Sequence, residues 1–185
     1  MKQEKNRSII YIAVFIGLIM ALSVIGFLWG GSEGKYRYGK FSFYYENGQW
    51  KTNVDGKILV FNILPDELQN ITVPQEAIDL ISDAKMLYIT YEKSDVAEEL
   101  AVAQYKLGIN IETDTRFVVN SLAYENENNV PVITCSNATD LVPVIMMKRN
   151  ETTNSITLNN NCITLEGNVN MLADRIVYSI YGIVK

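Results

Sequence analysis

The residues able to do chemistry in this chain are few, and one type is missing altogether: the 185 residues include no histidine. That removes the commonest general acid–base, the commonest transition-metal ligand and the usual pH switch. Ser-His-Asp and Cys-His mechanisms and His-containing zinc sites are excluded with it. Carboxylates remain. Glu92, Asp95, Glu98 and Glu99 cluster where a helix is expected to begin, and the helix dipole favours negative charge there without any catalytic role. Glu112, Asp114, Glu125 and Glu127 offer oxygens to calcium, but their spacing is not that of an EF-hand loop. Asp174 and Arg175 fall on the polar side of a C-terminal helix and read as solvated. No residue is assigned to catalysis, to a cofactor or to a metal, and the domain reads as a non-enzyme.

Covalent chemistry is better represented. Cys135 and Cys162, 27 positions apart, are the only cysteines, and their spacing matches no zinc or redox motif. In a reducing compartment they would be two core thiols. In an extracytoplasmic domain an even pair reads as one disulfide, which in the chain-entropy model contributes about 3–4 kcal/mol. Three sequons, Asn70-Ile71-Thr72, Asn137-Ala138-Thr139 and Asn150-Glu151-Thr152, make Asn70, Asn137 and Asn150 candidate glycosylation sites. Asn6-Arg7-Ser8 also matches but falls on the expected cytoplasmic side.

These groups need elements to place them. Ile9 to Trp29 is an unbroken run of 21 residues without a charge. As a helix it spans about 30 Å, the thickness of a hydrocarbon core, which predicts a transmembrane anchor. It is longer than the apolar region of a cleaved signal peptide and carries no A-x-A-like site, so retention is expected. Residues 1–8 form a cytoplasmic leader and 30–35 a Gly-rich linker, leaving 36–185 as one extracytoplasmic domain. Lys2, Lys5 and Arg7 on one side are matched by Lys35, Arg37 and Lys40 on the other. The N-terminal amine and the short leading segment tip the orientation towards N-in. Ala13, Gly17 and Ala21 recur every four residues, a small-residue stripe suited to helix pairing, and hence to a homodimer or a protein partner.

The net charge is −5, and the domain is more acidic than the whole: four of the 16 basic residues (Lys2, Lys5, Arg7, Lys35) but only two of the 21 acidic ones (Glu4, Glu33) precede Tyr36. Such a surface repels phosphate backbones, which argues against a nucleic-acid partner.

Within the domain, Asn47-Gly48 and Asp55-Gly56 are two-residue turn signals between strand-like segments. They predict a three-stranded antiparallel meander in which Tyr45 faces Trp50, Phe43 faces Thr52, Thr52 faces Leu59 and Trp50 faces Phe61. Phe41, Phe43, Tyr45, Trp50, Thr52, Val54, Leu59 and Phe61 then share a buried face. A helix is expected after Pro74 to about Asp83, a strand over Met86 to Tyr91, and a helix capped by Ser94 or Asp95 and stopped at Gly108. Ile109–Ile111, Arg116–Ala123, Val130–Thr134, Val142–Lys148, Ser155–Leu158 and Cys162–Leu165 read as extended, and about Val169–Tyr181 as a closing helix. The fold class is α+β, with the meander, a mixed sheet and about three helices behind the N-terminal span.

Ile133-Thr134-Cys135-Ser136-Asn137-Ala138-Thr139, Val142-Pro143-Val144-Ile145, Asn161-Cys162-Ile163, Ala173-Asp174-Arg175 and Tyr181-Gly182-Ile183 carry a resemblance. This C-terminal third resembles small, uncharacterised membrane-anchored proteins of archaea, which share the anchor, the aromatic hairpin and the two cysteines. The resemblance implies a cell-envelope setting and brings no activity with it. The cysteine-containing end is also distantly similar to domains of archaeal surface-layer proteins. The function expected is an envelope interaction or scaffold domain tethered through Ile9 to Trp29. The alternatives are an accessory subunit of a secretion, pilus or transporter complex and, further off, a carboxylate-based glycan hydrolase.

Overall fold

The computed structural model describes residues 2–29 and 34–184, with side chains in the first helix described over 10–23. The chain divides into two units, Met1–Gly34 and Lys35–Lys185. The first contains helix α1 (Lys2–Trp29). Its side chains from 10 to 23 are all exposed, although only Tyr11 and Ser23 among them carry a polar group. The Ser23 hydroxyl is satisfied within the helix, donating to the Ile19 carbonyl at 2.8 Å. Among the described residues no helix is long and apolar enough to cross a membrane. The stretch with described side chains rises only about 21 Å, against about 30 Å for a hydrocarbon core. The span expected over Ile9 to Trp29 therefore rests on the sequence. Of the expected linker 30–35, residues 30–33 lie outside the described residues, and Lys35 already belongs to the folded unit.

The folded unit is α+β and opens with a four-stranded antiparallel sheet in sequential order: β1 (Lys35–Tyr38), β2 (Phe41–Glu46), β3 (Gln49–Val54) and β4 (Lys57–Phe61). The meander thus has one strand more than the turn signals announce, because β1 folds back through Gly39-Lys40, with Gly39 at φ +56°. Asn47-Gly48 (φ 54° and 79°) and Asp55-Gly56 (φ 51° and 87°) are the two primed turns expected. The predicted register holds: Phe43↔Thr52, Tyr45↔Trp50, Thr52↔Leu59 and Trp50↔Phe61. The inner face is less uniform than its alternation suggests. Phe43, Thr52, Leu59 and Phe61 are buried, but Trp50 is half-buried and Tyr45 exposed.

The second sheet has five strands in the order β6-β5-β7-β9-β8. These are β5 (Met86–Tyr91), β6 (Phe117–Asn120), β7 (Val144–Arg149), β8 (Ser155–Asn159) and β9 (Cys162–Gly167). Three of its pairings are parallel and only β8–β9 is antiparallel. Helix α2 (Gln75–Asp83) precedes β5, and α3 (Ala97–Ile111) connects β5 to its parallel neighbour β6. Two expectations fail around α3. Ser94 and Asp95 do not cap it, since Val96 is the N-cap and makes no side-chain capping bond. Gly108 does not stop it either, so Ile109–Ile111 is helical. Gly108 sits where the helix crosses the sheet, with Val118 Cγ1 3.5 Å from the position a β-carbon would take.

Helix α4 (Val169–Ile180) closes the fold between the two sheets. Tyr178 stacks on Phe61 of the meander with ring centroids 4.1 Å apart, while Leu172, Ile176 and Val177 join the core that includes Ile145, Ile163 and Leu165 of the second sheet. Two apolar faces around one helix leave it no wet side, and Asp174 and Arg175, expected to be solvated, are 3% and 2% exposed. Val130–Thr134 forms no strand. It lies in the long 121–143 connection, touching Leu122 through one isolated parallel bridge at Val132.

Candidate functional site

The disulfide is the best-defined chemical feature. Cys135 and Cys162 are bonded, with Cα atoms 5.2 Å apart. Cys162 opens β9 and Cys135 opens a single 3-10 turn, Cys135–Asn137, within the long connection. Val144, Met146 and Cys162 form a small second core on this face of the sheet, covered by Ala123, Ile133, Cys135 and Ala138. The Thr90 hydroxyl donates to the Ile133 carbonyl at 2.9 Å and helps hold the connection down. The bond therefore pins a loop across a sheet face that has no helix.

Charged side chains gather at the carboxyl ends of the parallel strands. The chain leaves β5 towards β6 on one side and later enters β7 on the other, so this edge is a topological switch point, where open parallel sheets commonly bind ligands. Here the charges answer one another. Lys148 pairs with Glu92 at 2.7 Å, and Arg149 with Glu99 at 3.6 Å. The Asn170 amide donates to the same Glu99 at 3.3 Å, and that of Asn150 to Glu166 at 2.7 Å. Tyr91 and Tyr124 meet edge to face beside them, and burial, together with the hydrogen bond its hydroxyl donates to Tyr124, raises the Tyr91 pKa. Of the acidic residues at the start of α3, Glu98 and Glu99 occupy its first turn as the dipole argument requires. Glu112, Asp114, Glu125 and Glu127 do not assemble into a calcium site: among the described residues no three Cys, Asp or Glu side chains converge as metal ligands.

An apolar surface runs along α3. Val102, Tyr105 and Ile109, spaced for one helix side, are 47%, 61% and 38% exposed, and with Ala101, Val60 and Gln49 they line a groove of about 450 Å³. Glu98 and Lys106 lie at its margin. Sequence reading missed this feature, because the inward stripe of α3 already accounted for the helix.

It also missed the polar seam between α4 and the segment after β4. Asp174 Oδ2 accepts the backbone N–H groups of Asn62 at 2.7 Å and Ile63 at 3.0 Å. Burial raises its pKa to about 7, outweighing those two bonds and the nearby Lys106 ammonium. Arg175 Nε donates to the Ile71 carbonyl at 2.8 Å and its guanidinium also reaches Ser179, while the Tyr178 hydroxyl donates to the Ile63 carbonyl at 2.7 Å. Each side chain replaces a partner the irregular 62–73 backbone would otherwise lack. No sequence signal separates such a seam from a solvated face until both sheets are placed.

The remaining sites fall out differently. Ala13, Gly17 and Ala21 are exposed on α1. Asn70 and Asn137 are exposed and Asn150 is half-buried. Compared with known protein families, with curated proteins and with solved structures, the chain matches none.

Proposed function

We propose that this is a single-pass membrane protein whose folded unit stands outside the cytoplasm and serves the cell envelope as a non-enzymatic interaction or scaffold domain. The observation that carries this reading is the Cys135–Cys162 bond. Structural disulfides persist in oxidising compartments and are rare in the cytosol. An uncharged run of 21 residues ahead of the domain supplies the route there, and its side chains over 10–23 are exposed as lipid-facing ones must be. Helices that are apolar all round belong in a core or a membrane. The exposed groove along α3 suits an interaction domain, since contiguous apolar surface commonly marks contact sites. The resemblance to membrane-anchored envelope proteins of archaea points the same way.

The test is fractionation of cells expressing the full chain. The protein should stay in membranes after alkaline carbonate, and Cys135 and Cys162 should resist alkylation until reduced. Protease added to intact cells or spheroplasts should degrade the domain. Release by carbonate sinks the anchor; two freely alkylated thiols sink the placement.

A second reading, an accessory subunit of a membrane complex, draws on the Ala13/Gly17/Ala21 stripe, where a β-carbon added at Gly17 meets nothing within 4 Å. Gly17→Leu should then abolish detergent-resistant association with the partner or with a second copy. Unchanged association removes the stripe from consideration.

A further inference from the structure

The three exported sequons are equivalent in sequence, but the fold separates them. We infer that Asn70 is the N-glycan acceptor of this protein, that Asn137 is a poorer one, and that Asn150 is closed to modification. This rests on the extracytoplasmic placement proposed above.

The difference lies in what holds each amide. Asn70 occupies the exposed turn after the 3-10 segment Pro65–Leu68, and no hydrogen bond ties down its side chain among the described residues. The residue after it fixes the display. Ile71 packs against the core, its N–H bonds to the Leu68 carbonyl at 3.2 Å, and its own carbonyl accepts from Arg175 at 2.8 Å. Asn70 and Thr72, on either side, are both exposed. The acceptor amide and the hydroxyl that completes the sequon are thus offered together on an anchored backbone.

At Asn137 the side-chain oxygen is occupied, accepting from the Thr134 N–H at 2.9 Å and the Thr134 hydroxyl at 3.3 Å. That clamp opposes rotation of the amide, although the residue itself is exposed. Asn150 is held at both ends. Its oxygen accepts from the Thr152 N–H at 2.9 Å and the Thr152 hydroxyl at 2.8 Å, while its nitrogen donates to Glu166 at 2.7 Å. The atom that must act as nucleophile is engaged to a carboxylate, and the sequon hydroxyl is spent on the Asn150 oxygen.

The reaction needs a co-substrate of the lipid-phosphate-linked oligosaccharide class and a membrane oligosaccharyltransferase. The Asn70 Nδ2 attacks the anomeric carbon of the donor sugar, forming the N–C bond as the bond from that carbon to the phosphate oxygen breaks. The lipid phosphate leaves with the electron pair, and the amide nitrogen gives up one proton to a base of the transferase.

Digestion separates the three sites, because trypsin cuts between them at Lys85, Arg116, Lys148 and Arg149. Full-length chain expressed with its N-terminal helix, in a host that glycosylates exported proteins, would be reduced, alkylated, digested and read by glycopeptide mass spectrometry. Occupancy should be highest at Asn70, lower at Asn137 and at least tenfold lower at Asn150. Asn70→Gln and Thr72→Ala should each abolish the major glycoform, and Glu166→Ala, which frees the Asn150 amide, should raise occupancy there several-fold. Equal occupancy at all three sites, or a bare Asn70 in a domain that protease reaches from outside, overturns the inference alone. Bare sequons in a protease-protected domain with free thiols overturn it together with the placement.

Discussion

The two faces of the five-stranded sheet are covered by different means. On one, Leu87, Ile89, Ile145, Met147, Ile163 and Leu165 meet α3 and α4 in a continuous core. On the other, Val144, Met146 and Cys162 meet only the loop 121–143, and a covalent bond secures it. Helices bring their own backbone hydrogen bonds and an apolar stripe, so they cover a sheet by burial alone. A loop buries little and gains from a cross-link that lowers the entropy of its unfolded state. The contrast shows where the disulfide matters: it secures one layer, and the fold as a whole stands on the other.

The largest effect should come from the helix-covered face. Leu165→Ala should cost about 2–5 kcal/mol in urea unfolding of the domain, with Met146→Ala on the loop-covered face at the low end of that range because the loop can settle into the gap. Equal losses would mean that both faces are packed alike. Replacing Cys135 and Cys162 by alanine should cost about 2–4 kcal/mol and leave the fold intact. Hydrogen exchange should then rise over 121–143 while the amides of β5 stay protected; uniform loss of protection would break the comparison.

Asp174 examines the polar side of the helix layer. Asp174→Ala orphans two buried N–H groups and should cost about 2–4 kcal/mol, whereas Asp174→Asn keeps an acceptor and should cost less than about 1.5 kcal/mol. The native pKa of about 7 lies above that of the unfolded chain. Its contribution to stability is therefore full below about pH 4 and is lost as pH rises to about 7. Chemical unfolding across that window should show the slope in the wild type and a flatter profile in Asp174→Asn. The smallest effect is expected at Gly108, where the added β-carbon meets only ordinary van der Waals neighbours. Gly108→Ala should stabilise by a few tenths to about 1 kcal/mol through helix propensity, and a loss above 1 kcal/mol would show that α3 cannot move off β6.

What could be read in the sequence was what neighbouring residues decide. Asn47-Gly48 and Asp55-Gly56 specify turns of one hand, and the register of three strands follows from them. The Cys135–Cys162 pairing was legible because there was no other partner. Gly108 misled because a glycine after an apolar helical stripe is the usual stop signal, whereas here the helix runs on to Ile111, whose side chain is buried in the core. Asp174 and Arg175 misled because polarity on one side of a helix implies water only when nothing else covers that side. The parallel pairings of β5 with β6 and β7 join residues far apart in the chain, and no local pattern encodes them. The groove along α3 escaped for a related reason: exposure belongs to the assembled surface.

Strand β4 ends the four-stranded sheet, and an edge strand of this kind can recruit another chain. That edge is taken. The Asn110 amide accepts from the Val60 N–H at 3.1 Å and donates to the Val60 carbonyl at 2.8 Å, so one side chain plays the part of a neighbouring strand, and Asp174 takes the next outward N–H at Asn62. A bare β4 would let copies of the chain zip together into ribbons. Asn110 works as a permanent stopper, and its loss would surface as clustering between molecules while each molecule stayed folded.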